Sequence, residues 1–184
     1  MVGGAGGHGK RPRFFSCSTL VFTYSGLKCE DVNSTREARM PRNKVLVVGC
    51  DLDGVLGDIV QQVVRFSRRE HQISMTRGHV ISENIETCAP IRREQLHDLF
   101  RNREFFRSLP LVPHARQMLS NLKELGWKIH IVTDRFWYDG IHADTKQWLM
   151  RHRIPFDSVV FARKEEKHDV VAKLGIGWFI EDQL

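Results

Sequence analysis

The stretch VLVVGCDLDGVLGD, residues 45–58, runs from apolar side chains straight into Asp51 and Asp53, one residue apart, with Gly54 directly after them. Two carboxylates at one place repel each other, and each raises the other's pKa unless a cation offsets them. Similar endings recur downstream. KIHIVT, residues 128–133, finishes in Thr133 and is followed by Asp134; WFIED, residues 178–182, finishes in Glu181 and Asp182. Between these two lies the charged run Arg163, Lys164, Glu165, Glu166, Lys167. These are the groups that phosphate chemistry requires. A hard divalent cation with oxygen ligands, Mg2+ being the natural candidate, would offset the paired acids.

Such residues act together only if the elements carrying them end at one place. From Lys44 onwards the apolar pattern alternates strand and helix. Val45 to Val48 are continuously apolar, as in a parallel strand covered on both faces. Residues 58–69 place Ile59, Val60, Val63, Val64 and Phe66 at helical spacing. Residues 73–109 are charged and only intermittently apolar, which predicts short helices with a modest core of their own. After the Pro110 and Pro113 break, Ala115, Met118, Leu119, Leu122 and Leu125 predict a helix stopped at Gly126. A strand at 128–133, a helix at 143–152 burying Trp148 and Leu149, a strand at 158–162, a helix at 167–174 capped by Gly175, and a strand at 178–180 complete the series. Four strands alternating with helices imply an α/β fold with a parallel sheet, and ligands then bind at the carboxyl ends of the strands.

Composition narrows the field. At 184 residues, 41% of them apolar, the chain is of single-domain length with enough material for a core. The net charge of +6 is spread along the chain with no Lys/Arg-rich block, so an anionic small molecule is the favoured partner and nucleic acid is disfavoured. Cys17, Cys29, Cys50 and Cys88 show no metal-binding spacing and read as free thiols, and the nine histidines include no HExxH. No apolar run approaches the length of a membrane span. Residues 1–43 read as a flexible tail. Its GGAGGHG has no preceding strand and no following GKS or GKT, so it is not a phosphate loop. The basic and apolar residues after it leave organelle targeting as the alternative to a cytoplasmic setting, and Met40 raises the prospect that a natural product lacks the tail.

The motifs in their order resemble the haloacid dehalogenase (HAD) superfamily of phosphohydrolases. CDLDGV matches that superfamily's first motif, KIHIVT the second, Lys167 at a helix start the third, and FIED the fourth; the likeness spans residues 44–184. FFRSLP, residues 105–110, with the helix, strand and Thr after it, is similar to the branch holding the 5'-nucleotidases and 5'(3')-deoxyribonucleotidases. The resemblance implies a three-layer Rossmann-like fold with a small helical cap at about 73–109, inserted after the first strand-helix unit.

It also implies roles. Asp51 would be the nucleophile that forms an aspartyl-phosphate, and Asp53 the general acid and base; dehalogenases of the superfamily lack that second acid. Thr133 and Lys167 would bind the phosphoryl group, with Lys164 as the rival lysine because it lies nearer the preceding strand. Asp51, the Asp53 backbone carbonyl and Asp182 would hold Mg2+, with Glu181 as runner-up ligand or supporting partner. Asp134, another candidate supporting residue, and Arg135 depart from the small residue often found after the second-motif Thr. Trp137 and Tyr138, on the loop that follows, are candidate substrate contacts that stack on a nucleobase or simply pack, whereas Phe105 and Phe106 read chiefly as core. The expected activity is Mg2+-dependent hydrolysis of a small phosphomonoester, with a nucleotide as one candidate; oligomeric state is not legible. Asp182 has two residues behind it, so the metal loop is expected at a chain end, as in a C-terminally truncated member. That leaves a second reading, a catalytically impaired HAD-like module that binds a polyanion.

Overall fold

In the computed structural model, which describes residues 21–24, 45–80 and 90–182, the chain forms one five-stranded sheet with helices packed on it. In chain order the elements are β1 (Val21–Tyr24), β2 (Val47–Cys50), α1 (Ile59–His71), α2 (Arg93–Arg101), α3 (Arg103–Arg107), α4 (Ala115–Glu124), β3 (Lys128–Thr133), α5 (Ile141–Arg151), β4 (Ser158–Phe161), α6 (Lys167–Lys173) and β5 (Trp178–Glu181). The strand order is β1-β5-β2-β3-β4; β5, β2, β3 and β4 are mutually parallel.

The four strands expected from the sequence are parallel as read, and one further strand was not foreseen: β1 pairs antiparallel with β5, from Val21 opposite Glu181 to Tyr24 opposite Trp178. That strand lies inside the stretch read as a tail. Four residues are too few to show a period, and their partner lies at the far end of the chain. The first central strand is also shifted by two residues, to Val47–Cys50, leaving Val45 exposed. The rest of the expected tail, Cys17, Cys29, Ile81, Ile85, Cys88, Gln183 and Leu184 lie outside the described residues; Cys50 is a buried free thiol.

Layering follows from strand alternation. On β3, Ile129 and Ile131 are buried with Leu119 of α4 and with Trp148 and Leu149 of α5. Val132, on the opposite face, packs with Phe179, Val170 and Val171 on the α6 side. The sheet therefore has helices on both faces. The indole of Trp148 is fully buried and donates to the Leu109 carbonyl at 2.7 Å, joining α5 to the segment after α3. Helices α2 and α3 share their own core with α1, made of Val63, Phe66, Leu96, Leu99, Phe100, Phe105 and Phe106. Both phenylalanines of the FFRSLP segment are thus core residues, at 0% and 2% exposure. No helix among the described residues is long and apolar enough to cross a membrane.

Connectivity decides where ligands can enter. From β2 the chain moves outward on one side through β3 to β4, then returns through α6 to place β5 on the other side of β2. The direction of winding reverses at β2, and a crevice opens at the carboxyl end of a strand where that happens. Asp51 is the residue directly after β2.

Candidate active site

The loop after β2 is a tight turn rather than a floppy ending. Gly54 N–H donates to the Gly57 carbonyl at 2.9 Å, and the Leu56 and Gly57 amides donate to the Leu52 carbonyl at 2.8 Å each. Leu52, Val55 and Leu56 are buried and pin the turn to the core. Gly54 adopts φ +81°, a conformation that a side chain resists. Only a hydrogen fits there, since a Cβ would lie 1.9 Å from Asp182 Oδ2. The first and fourth motifs therefore touch through this glycine.

Asp51 is 8% exposed. Its Oδ1 accepts from the Leu52 amide at 2.7 Å, and its Oδ2 accepts from Lys167 Nζ at 2.8 Å. The same ammonium donates to Glu181 Oε1 at 3.0 Å. Burial pushes the Asp51 carboxyl up to about 8, with Glu181 and Asp53 adding to the rise and Lys167 opposing it. Burial would lower the Lys167 pKa, but Asp51 and Glu181 more than reverse that and raise it. Asp182 is likewise raised, by burial first and then by Glu181 and Asp53. Asp51, Glu181 and Asp182 present carboxylate oxygens all within 4.8 Å of one another. One ammonium against three carboxylates leaves an excess of negative charge.

The group fits a hard divalent cation. The donors are carboxylate oxygens, the glycine at 54 leaves room for the Asp182 carboxylate, and the upward pKa shifts of Asp51 and Asp182 are those a cation would reverse. Asp182, one of the expected ligands, is in the cluster, and so is Glu181, the runner-up.

Thr133 ends β3, beside β2, and is 1% exposed; its Oγ1 has no hydrogen-bond partner. A buried hydroxyl without a partner costs roughly 1–3 kcal/mol. At this place in the fold it is suited to donate to a phosphoryl oxygen. Lys167 rather than Lys164 reaches Asp51, because the first turn of α6 points Lys167 back at the strand ends. The Lys164 amide instead donates to Asp134 Oδ2 at 3.1 Å. Asp134 is exposed and ties down the turn after β4, apart from the carboxylate cluster.

Sequence reasoning missed Arg135 as a site residue. It is fully buried and grips Asp53 with two nitrogens, Nε to Oδ2 at 2.8 Å and Nη2 to Oδ1 at 2.5 Å. Its position two residues after Thr133 was the available signal, since a guanidinium buried there needs an acid, and Asp53 supplies it. Also unforeseen was Asp144 of α5, which accepts from Arg103 and Arg107 of α3 and from the Tyr138 hydroxyl at 3.1 Å. Tyr138 thereby joins the contacts between α3 and α5. Trp137, 36% exposed, packs its ring 4.8 Å from that of Phe100 on α2.

This chain is similar to several known proteins. The family model described as 5' nucleotidase, deoxy (pyrimidine), cytosolic type C protein (NT5C) matches residues 44–182. A protein of Chlorobaculum tepidum named as a candidate 5'(3')-deoxyribonucleotidase is 29% identical over 157 residues, covering 80% of this chain and 74% of that protein. One of Oceanobacillus iheyensis named as a candidate nucleotidase is 26% identical over 145 residues, covering 68% of this chain and 74% of its own. Among solved structures, a hydrolase from Streptococcus pneumoniae TIGR4 aligns over 74% of this chain and 81% of its own, with 20% identity and a TM-score of 0.49.

Proposed function

This chain belongs to the family of 5' nucleotidase, deoxy (pyrimidine), cytosolic type C proteins, a nucleotidase branch of the HAD phosphohydrolases, and on that footing we propose that it hydrolyses nucleoside monophosphates with Mg2+ through an aspartyl-phosphate on Asp51. The observation that carries the proposal is Lys167 bridging Asp51 and Glu181 at the carboxyl end of β2, one strand away from the partnerless hydroxyl of Thr133. A cytoplasmic setting fits this reading.

The Leu52 amide and Lys167 hold the two oxygens of Asp51, so its carboxylate is aimed before substrate arrives. Asp51 attacks phosphorus, and the bond from phosphorus to the ester oxygen breaks as Asp53 gives that oxygen a proton. Water then attacks the phosphorus of the aspartyl-phosphate while Asp53 takes back a proton, releasing phosphate and restoring Asp51. Thr133 and Lys167 hold the phosphoryl oxygens during both transfers. Asp51, Glu181, Asp182 and the Asp53 backbone carbonyl are the groups suited to hold Mg2+, which when bound would supply charge neutralisation for the phosphate. Trp137, exposed and next to the cap, is the residue best placed for a nucleobase; the Tyr138 hydroxyl is already engaged by Asp144.

The non-catalytic module is the weaker reading: the family matched is one of nucleotidases, and Lys167 joins Asp51 after β2 to Glu181 at the end of β5. The test is release of inorganic phosphate from deoxyribonucleoside monophosphates with Mg2+. Asp51→Asn is expected to lose at least about 1,000-fold while keeping its fold. Equal rates for wild type and Asp51→Asn would refute the proposal.

A further inference from the structure

Arg135 makes more contacts than a surface counterion needs, and each goes to a different part of the molecule. Nε and Nη2 grip both oxygens of Asp53 in the loop after β2. Nη1 donates to Thr145 Oγ1 of α5 at 3.2 Å, and the guanidinium carbon lies 4.6 Å from the centre of the Phe106 ring on cap helix α3. The arginine side chain is fully buried, whereas that of Asp53 keeps 27% exposure. A two-pronged pair of this kind fixes a carboxylate in rotation as well as position, which a lysine would not do. Each carboxylate oxygen has two lone pairs, so Asp53 can accept from Arg135 on one side and still carry a proton on the other.

We propose that Arg135 is the positioning residue for Asp53: braced by Thr145 and by the cap through Phe106, it holds the carboxyl at the angle from which its proton reaches the departing ester oxygen. This rests on the reading of Asp53 as the acid of the nucleotidase reaction. The step at stake breaks the bond from phosphorus to the ester oxygen, moves one proton from Asp53 to that oxygen and leaves the phosphoryl group on Asp51. An acid held this way matters where the leaving group is a poor one. A nucleoside alkoxide needs the proton; p-nitrophenolate leaves without it. A merely structural ion pair would treat the two esters alike.

The experiment compares kcat/KM, which reports steps up to formation of the aspartyl-phosphate, on thymidine 5'-monophosphate and on p-nitrophenyl phosphate. Arg135→Lys is expected to lose about 100-fold on the nucleotide and less than about 3-fold on the nitrophenyl ester. Thr145→Val, which keeps the packing and removes one brace, is expected to show the same bias at about 5-fold, and it carries the test if Arg135→Lys fails to fold. In an Asp53→Asn background Arg135→Lys is expected to add no further loss on the nucleotide, as residues acting as one unit are non-additive. Equal losses on both esters, or a full additional loss without Asp53, would overturn the role of Arg135 and leave the nucleotidase reading intact. Wild-type protein with no Asp51-dependent hydrolysis of either ester would overturn both.

Discussion

Replacing Gly54 by alanine tests whether the first and fourth motifs form one site. The backbone there has φ +81°, where an L side chain costs about 1–2 kcal/mol. The new methyl would also stand 1.9 Å from Asp182 Oδ2 and 2.4 Å from its Cγ, so one of the two must move. The turn at Gly54 is pinned by buried Leu52, Val55 and Leu56, whereas Asp182 is only part-buried, and so the carboxylate swings away. Stability therefore falls by little more than the backbone term, a drop in Tm of about 2–8 °C. Function suffers more, because an acid displaced by an ångström or more from the group it forms with Asp51 and Glu181 costs about 100-fold in kcat/KM. Thermal unfolding and phosphate release across a Mg2+ titration measure the two effects separately. Asp182→Asn should reproduce the activity loss, and adding it to Gly54→Ala should change little more. A Gly54→Ala protein retaining more than about a third of wild-type activity at the same Mg2+ requirement would show that the contact between Gly54 and Asp182 does not build the site.

Thr133→Val keeps the shape of a residue whose hydroxyl has no partner in the folded protein. It is expected to be as stable as wild type or more stable by up to about 1 kcal/mol, while kcat/KM falls about 10- to 100-fold; paired calorimetry and kinetics check both, and a clear loss of stability would mean the hydroxyl has a structural partner. Asp144 provides a pH prediction. Burial would raise its pKa, but hydrogen bonds from Arg107, Arg103 and Tyr138 bring it down to about 2. A carboxyl depressed on folding adds stability above its unfolded pKa near about 4 and loses it as pH falls toward the folded value. Asp144→Asn should thus be destabilised at pH 7, with the gap from wild type in urea midpoint closing between about pH 4 and pH 2; a gap independent of pH would show that the charge of Asp144 is not what stabilises.

What sequence alone determined was local in origin. Apolar runs that end in charged or hydroxylated residues mark strand ends, so Asp51, Thr133, Glu181 and Asp182 were legible as one family of positions, and periodicity located α1, α4, α5 and α6 to within a few residues. Buried Trp148 and Leu149 followed from the same periodicity. What only the tertiary structure decided depends on partners distant in the chain. Strand β1 exists because the backbone of β5, about 157 residues later, offers it an edge. That Lys167 meets Asp51 depends on which residue the first turn of α6 turns toward the end of β2. Arg135 showed only an unusual residue type after Thr133; its grip on Asp53 spans 82 positions and needs β2, β3, α3 and α5 assembled together. Spacing along a chain reports which face or end of an element a residue occupies. Which charges meet is set by burial, where each ionised group must find a partner, and that is a property of the folded whole.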